Sequence, residues 1–181
     1  CSRGHFCPRE GMSNPQRCPP GTYNPGRGAK FASACIPCPA GHFCANGVDQ
    51  NWEVYGGTTN GGVADPSECR AGTYQERRGQ FTCDLCPAGK MCPSSGMTMP
   101  LDCEFGKYCM IGTGATDVQP VRCPFGFLND RLNATSMDDC EPCPPGYYCD
   151  NCGKKFHTDS FVEIHTRNPI CISKLVLSLL V

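Results

Sequence analysis

Eight times the chain repeats one short phrase: a cysteine, two residues, a glycine, one residue, then a large apolar side chain. The copies begin at Cys1, Cys18, Cys38, Cys69, Cys86, Cys103, Cys123 and Cys143. Their glycines are Gly4, Gly21, Gly41, Gly72, Gly89, Gly106, Gly126 and Gly146, and their apolar residues are Phe6, Tyr23, Phe43, Tyr74, Met91, Tyr108, Leu128 and Tyr148. Glycine reaches backbone angles closed to other residues, so each phrase marks a sharp turn just after a cysteine. Proline often precedes the glycine, as in Cys18-Pro19-Pro20-Gly21 and Cys143-Pro144-Pro145-Gly146, which is turn chemistry. Short polar stretches between the turns suit brief hairpins and loops, and no helical period is sustained before residue 150.

Such a chain needs something other than an apolar core. Leu, Ile, Val and Phe together number 30 of 181 residues, too few to offset the entropy of ordering the chain. Low apolar content with high net charge would mean disorder, but the formal charge is only −1. The 18 cysteines resolve the conflict, since that density is the mark of a disulfide scaffold. Each cross-link in good geometry contributes about 2–4 kcal/mol by restricting the unfolded chain. The expected fold class is small and disulfide-rich: an elongated tandem array of cysteine-rich modules built from short β-hairpins and loops, with any helix confined to the C-terminal tail.

The cysteines fall into units spaced C-x16-C-x2-C-x5-C, with 13 residues replacing 16 in the second unit. The expected organisation is a half-module over 1–17, module 1 over 18–68 with a long loop at 45–68, and module 2 over 69–102. A half-module over 103–122, module 3 over 123–150 and a divergent tail over 151–181 follow. The half-modules contain only C-x5-C, and their insertion keeps the cysteine count even, so the simplest account is that C-x5-C closes on itself. The pairs are then Cys1–Cys7, Cys18–Cys35, Cys38–Cys44, Cys69–Cys83, Cys86–Cys92, Cys103–Cys109, Cys123–Cys140 and Cys143–Cys149. A crossed pattern, first cysteine to third and second to fourth, competes with it.

The phrase C-P-x-G-x-[YF], followed by C-x-x-C-P-x-G-x-[YF]-C, resembles the ephrin-receptor-like cysteine-rich repeat. The clearest copy runs from Cys18-Pro-Pro-Gly-Thr-Tyr23 to Cys35-Ile-Pro-Cys38-Pro-Ala-Gly-His-Phe43-Cys44. The repeat is similar in style to growth-factor-like and tumour-necrosis-factor-receptor-like modules, and the resemblance covers about residues 1–150. It implies an extracellular array with no catalytic residues to carry over, in a class whose modules serve as spacers, ligand-binding stalks and adhesion surfaces alike.

Disulfides persist only in oxidising compartments, so the expected location is extracellular or at the cell surface. Asn133-Ala134-Thr135 is a glycosylation sequon and agrees with it. The start at Cys1 reads as a fragment or processed product. The apolar end, Leu175 to Val181, is too short to cross a bilayer and reads either as the first part of a truncated membrane span or as an apolar tail; membrane attachment is expected, where present, through the parent protein. Scattered basic residues leave no nucleic-acid footprint, and no nucleic acid is expected as a partner. The expected partners are an extracellular protein ligand or neighbouring modules. The candidate binding anchors are Trp52, the only tryptophan, and Tyr55, in the longest cysteine-free interval of the array. Packing of Trp52 on an adjacent module is the blander alternative.

The tail is a different text. Cys149, Cys152, His165 and Cys171 are spaced C-x2-C-x12-H-x5-C, like a zinc finger with cysteine as the last ligand. That is the alternative function, a zinc-binding protein, with zinc as its cofactor; otherwise none is expected. Pro169 interrupts the helix such a finger needs, and Cys149 is also claimed by the last C-x5-C. The two claims require opposite redox compartments. No enzyme is expected. The three C-x2-C pairs, at Cys35–Cys38, Cys83–Cys86 and Cys140–Cys143, match a redox motif only in spacing, since each lies inside a repeat and not at a helix start. No candidate catalytic residue emerges. The leading reading is an extracellular cysteine-rich repeat fragment acting as a structural or protein-binding stalk of a secreted or surface protein.

Overall fold

The computed structural model describes residues 1–45, 62–145, 147–149 and 155–157. Its regular structure is eight two-stranded sheets. In chain order the hairpins are β1 (His5–Phe6) with β2 (Gln16–Arg17), β3 (Thr22–Tyr23) with β4 (Ile36–Pro37), β5 (His42–Phe43) with β6 (Ser67–Glu68), and β7 (Thr73–Tyr74) with β8 (Asp84–Leu85). Then come β9 (Lys90–Met91) with β10 (Leu101–Asp102), β11 (Lys107–Tyr108) with β12 (Val121–Arg122), β13 (Phe127–Leu128) with β14 (Glu141–Pro142), and β15 (Tyr147–Cys149) with β16 (Lys155–His157). Two 3-10 turns, Ala32–Ala34 and Met137–Asp139, are the only helical elements among the described residues, and none is long and apolar enough to cross a membrane.

One rule generates the first seven hairpins. The first strand is the pair of residues after a phrase glycine, and the second is the pair just before the next phrase's cysteine. The register is closed by a bond from that cysteine back to the previous glycine. Cys18 N–H donates to Gly4 C=O at 3.0 Å, Cys38 to Gly21 at 2.8 Å, Cys69 to Gly41 at 2.9 Å and Cys86 to Gly72 at 2.9 Å; Cys103, Cys123 and Cys143 repeat it with Gly89, Gly106 and Gly126.

The turn ahead of each first strand follows from the phrase. Thr22 N–H bonds to Pro19 C=O at 3.1 Å, with Gly21 at φ 79° between them. That is the geometry of a type II turn, which requires a positive φ at its third position. The Thr22 hydroxyl donates to the same carbonyl, and Thr73 does likewise to Arg70.

The chain divides into two compact units. One comprises Cys1–Pro87, Met91–Leu101 and Gly112–Val118; the other comprises Ala88–Lys90, Asp102–Ile111 and Gln119–Val181. In both units the buried apolar residues are mostly half-cystines, with few aliphatic side chains among them. Phe43, 2 % exposed, packs with Cys69 and Cys83 as a small core of its own.

Candidate functional site

The cross-links hold every module, and the disulfides come first. They join Cys1–Cys7, Cys18–Cys35, Cys38–Cys44, Cys69–Cys83, Cys86–Cys92, Cys103–Cys109, Cys123–Cys140 and Cys143–Cys149, the uncrossed arrangement. Five phrases therefore close on themselves, and three are tied to the end of their own hairpin. No C-x2-C pair is bonded internally: Cys35 goes to Cys18 while Cys38 goes to Cys44.

The position after the apolar residue differs between the two kinds of phrase. In self-closed phrases it is the second cysteine: Cys7, Cys44, Cys92, Cys109 and Cys149. In the other three it is Asn24, Gln75 or Asn129, all buried to 4 % exposure or less. Asn24 Nδ2 donates to His5 C=O at 3.0 Å, and Asn129 Nδ2 donates to Lys107 C=O at 2.9 Å. Their Oδ1 atoms accept from the backbone N–H two residues on, Gly26 at 3.0 Å and Arg131 at 2.9 Å. Gln75 makes the same local bond, Oε1 accepting from Arg77 N–H at 3.2 Å, and its Nε2 donates to Thr82 C=O at 3.0 Å. A buried amide with every partner in place thus stands where a self-closed phrase has sulfur, which avoids the cost of an unpaired buried polar group. Sequence reasoning passed over these three residues, although aligning the phrases shows only cysteine or an amide there.

Loops reach back over earlier phrases. Gly79 N–H donates to Cys38 C=O, Gly96 to Cys69, Gly112 to Cys86, and Asn133 to Cys103. The carbonyl of the same loop residue then rests on the glycine one phrase earlier still. A Cβ built on Gly21 would lie 2.0 Å from Gly79 O, one on Gly41 2.2 Å from Gly96 O, one on Gly72 2.7 Å from Gly112 O, and one on Gly89 2.5 Å from Asn133 O. At Gly21, Gly41, Gly72 and Gly89 glycine is therefore required twice, by its positive φ and by a backbone pressed against its Cα. Asn133, at φ 66°, is the one non-glycine residue with positive φ among the described residues. Asparagine tolerates this conformation better than most residues.

The sequon therefore lies inside this network. With its amide nitrogen turned toward two acceptors, Asn133 donates to Gly89 C=O and to Asp102 Oδ1, each at 2.8 Å. The Thr135 hydroxyl donates to Asp139 Oδ2 at 3.2 Å. Asp139 also accepts from the Thr135 and Ser136 N–H groups at 2.7 and 3.2 Å, and Ser136 completes a capping box on the turn Met137–Asp139. These backbone bonds hold the Asp139 carboxyl below its ordinary pKa of 3.8. Asp102 is lowered as well, chiefly by its hydrogen bond to Lys90, then by that ammonium's charge and the Asn133 amide, against a smaller opposing desolvation. Arg3 forks onto both oxygens of Asp65 at 2.6 and 2.7 Å.

Trp52 and Tyr55 lie outside the described residues, as do Cys152, His165 and Cys171. Cys149 is bonded to Cys143, and no group of three or more His, Cys, Asp or Glu side chains able to hold a metal occurs among the described residues. The largest exposed apolar side chains include Phe31, Met99 and Phe125, at 70, 68 and 65 % exposure. They contribute little to either unit's interior.

Comparison with known proteins agrees with this architecture. Residues 56–103 match the family model described as tyrosine-protein kinase ephrin type A/B receptor-like. The chain is 34 % identical over 92 residues, half of its length, to Sushi, von Willebrand factor type A, EGF and pentraxin domain-containing protein 1 of Rattus norvegicus, covering 2 % of that protein. It is 31 % identical to a cubilin homolog of Caenorhabditis elegans over 83 % of its own length and 4 % of the relative's. It is 27 % identical to signal peptide, CUB and EGF-like domain-containing protein 2 of Mus musculus over 64 % of its length and 12 % of the relative's. The chain thus spans a small fraction of each relative. The eight disulfides fit an oxidising compartment and an extracellular or cell-surface location. Cross-links, hairpins and similarities together identify the chain as a cysteine-rich extracellular repeat protein, similar over residues 56–103 to the ephrin-receptor-like family.

Proposed function

We propose that the chain is a non-enzymatic segment of a larger extracellular modular protein, a disulfide-locked stalk whose hairpin loops bind a protein ligand. The observation that carries this reading is a division of labour. Disulfides, backbone bonds and buried amides hold the fold, while Phe31, Phe81 and Met99 stay 55 to 70 % exposed on the loops. Large exposed apolar side chains that the fold does not use are available to a partner. Pairing each C-x2-C cysteine elsewhere supports the absence of redox catalysis, which needs the two sulfurs to exchange with each other. The cross-linking modules in this reading are 18–68, 69–102 and 123–150, with half-modules 1–17 and 103–122.

The test is binding of the oxidised, secreted chain to cell-surface and matrix proteins, with two variants in parallel. Phe31→Ser/Phe81→Ser/Met99→Ser tests the described loops, and Trp52→Ala/Tyr55→Ala tests the long interval. Loss of binding by at least one variant, with unchanged unfolding midpoint, supports ligand recognition. Equal binding by both variants and the parent overturns it and leaves a spacer. Zinc in the same preparation is expected well below one equivalent, because the proposed first ligand, Cys149, is held in a disulfide. Elemental analysis checks this.

A further inference from the structure

We propose that the face around Gly11 and Gly28 is a preformed docking site for one further C-x2-G phrase entering in line ahead of Cys1. Positions at which the repeat rule is fulfilled elsewhere in the chain are left open on this face. In the repeat, the loop residue with positive φ donates its N–H to a cysteine carbonyl of the preceding phrase, as Gly79 does to Cys38 and Gly96 to Cys69. The next residue's carbonyl accepts from the residue after that phrase's apolar side chain, as Gln80 does from Cys44 and Met97 from Gln75. Gly11 holds the same left-handed conformation, φ 73°, in the first hairpin's loop, yet its N–H and the Met12 carbonyl have no partner among the described residues.

Two more groups complete the pattern. Six phrase glycines, Gly4, Gly21, Gly41, Gly72, Gly89 and Gly106, donate to the residue after the next phrase's apolar side chain, as Gly4 does to Asn24 C=O and Gly21 to Cys44 C=O. For a phrase ahead of Cys1 that acceptor is Cys7 C=O. Its glycine would then be covered by Gly28 C=O, as Gly79 covers Gly21. Neither carbonyl has a partner among the described residues.

Packing agrees independently. A Cβ built on Gly79, Gly96 or Gly112 meets the residue just before a phrase cysteine, Pro37, Glu68 or Leu85, at 3.6 to 4.0 Å. One built on Gly11 or Gly28 meets nothing within 4 Å. The self-closed pairs Cys38–Cys44, Cys86–Cys92 and Cys103–Cys109 are fully buried, whereas Cys1 is exposed and Cys7 half-buried. A left-handed residue and an uncovered cystine are consistent with a surface shaped for an absent neighbour. The bonds it offers are backbone bonds in fixed register. The ligand they suit is another copy of the phrase, with glycine at its fourth position.

The test extends the full chain. A copy of residues 86–102, or of 103–122, is fused directly ahead of Cys1; each adds one self-closing pair and ends on the two residues that precede a phrase cysteine. With the added disulfide closed, as shown by mapping without reduction, exchange of the Gly11 amide hydrogen is expected to slow about tenfold or more relative to the unextended chain. The fusion of 86–102 carrying Gly89→Val in the copied segment is expected to lose that protection, because a side chain there meets the covering carbonyl. Unchanged Gly11 exchange in both fusions, or failure of both added pairs to close, overturns the proposal. Protection of Gly11 that rises with concentration in the unextended chain also overturns it, since the occupant would then be a second copy.

Discussion

At the scale of the residue, the glycines separate two costs usually confounded. Gly28 sits at φ 71° in open space, so Gly28→Ala carries only the left-handed penalty, about 1–2 kcal/mol. Gly41 has φ 76° and a carbonyl 2.2 Å from the built Cβ, so Gly41→Ala adds overpacking against backbone, about 1–3 kcal/mol more. Chemical denaturation under oxidising conditions is expected to rank them in that order, and equal midpoints would contradict the close approach. The two lowered aspartates set a pH dependence. A carboxyl depressed in the folded state contributes stability that is complete above its unfolded pKa and is lost as pH falls through the folded one. Stability is therefore expected to decline as pH drops below about 4. Asp139→Asn and Asp102→Asn should flatten that decline, read from unfolding midpoints between neutral and acid pH. The glycine's turn was legible in the sequence, since cysteine and proline flank it. Its second constraint was not, because the carbonyl pressing on Gly41 comes from Gly96, and no local pattern encodes a contact between them.

At the scale of the element, the hairpin is the repeating piece, and its knot takes two chemistries. Asn24, Gln75 and Asn129 show that an amide can occupy the place of the second sulfur. The variant Cys103→Ala/Cys109→Asn is therefore expected to be more stable than Cys103→Ala/Cys109→Ala by about 1 kcal/mol, the worth of one satisfied hydrogen bond. Both should fall below the parent, and thermal unfolding compares all three. Hairpins were expected from the turn residues and the short polar intervals, and the structure has them. Their strand partners were not derivable, because strands of two residues carry no periodicity. Only the closing bond from each cysteine to the previous glycine fixes the register. Asparagine and glutamine in a cysteine-rich loop also read as ordinary surface residues, and their burial appears only once the phrases are superposed.

At the scale of the whole molecule, covalent cross-links stand in for the missing aliphatic interior. The three longer loops, closed by Cys18–Cys35, Cys69–Cys83 and Cys123–Cys140 at separations of 17, 14 and 17 residues, are each worth about 3 kcal/mol by loop-closure entropy. With the five shorter closures, at separations of 6 residues and about 2 kcal/mol each, the total exceeds the net stability of typical domains, about 5–15 kcal/mol. Full reduction is therefore expected to unfold the chain at room temperature, seen as collapse of amide dispersion in its NMR spectrum. A reduced chain that keeps its dispersion would show that backbone interlock alone suffices.

The backward reach of the loops has a consequence for synthesis. A self-closed pair such as Cys38–Cys44 needs only its own seven residues to have emerged into the secretory lumen. The cover over Gly41 arrives only when Gly96 has been made. Oxidation thus runs ahead of packing along the nascent chain, and each freshly knotted turn stays open until two further hairpins follow it. In that interval its sulfurs are accessible to exchange enzymes, so errors in pairing can be corrected from the N-terminal end onward before the backbone closes over them.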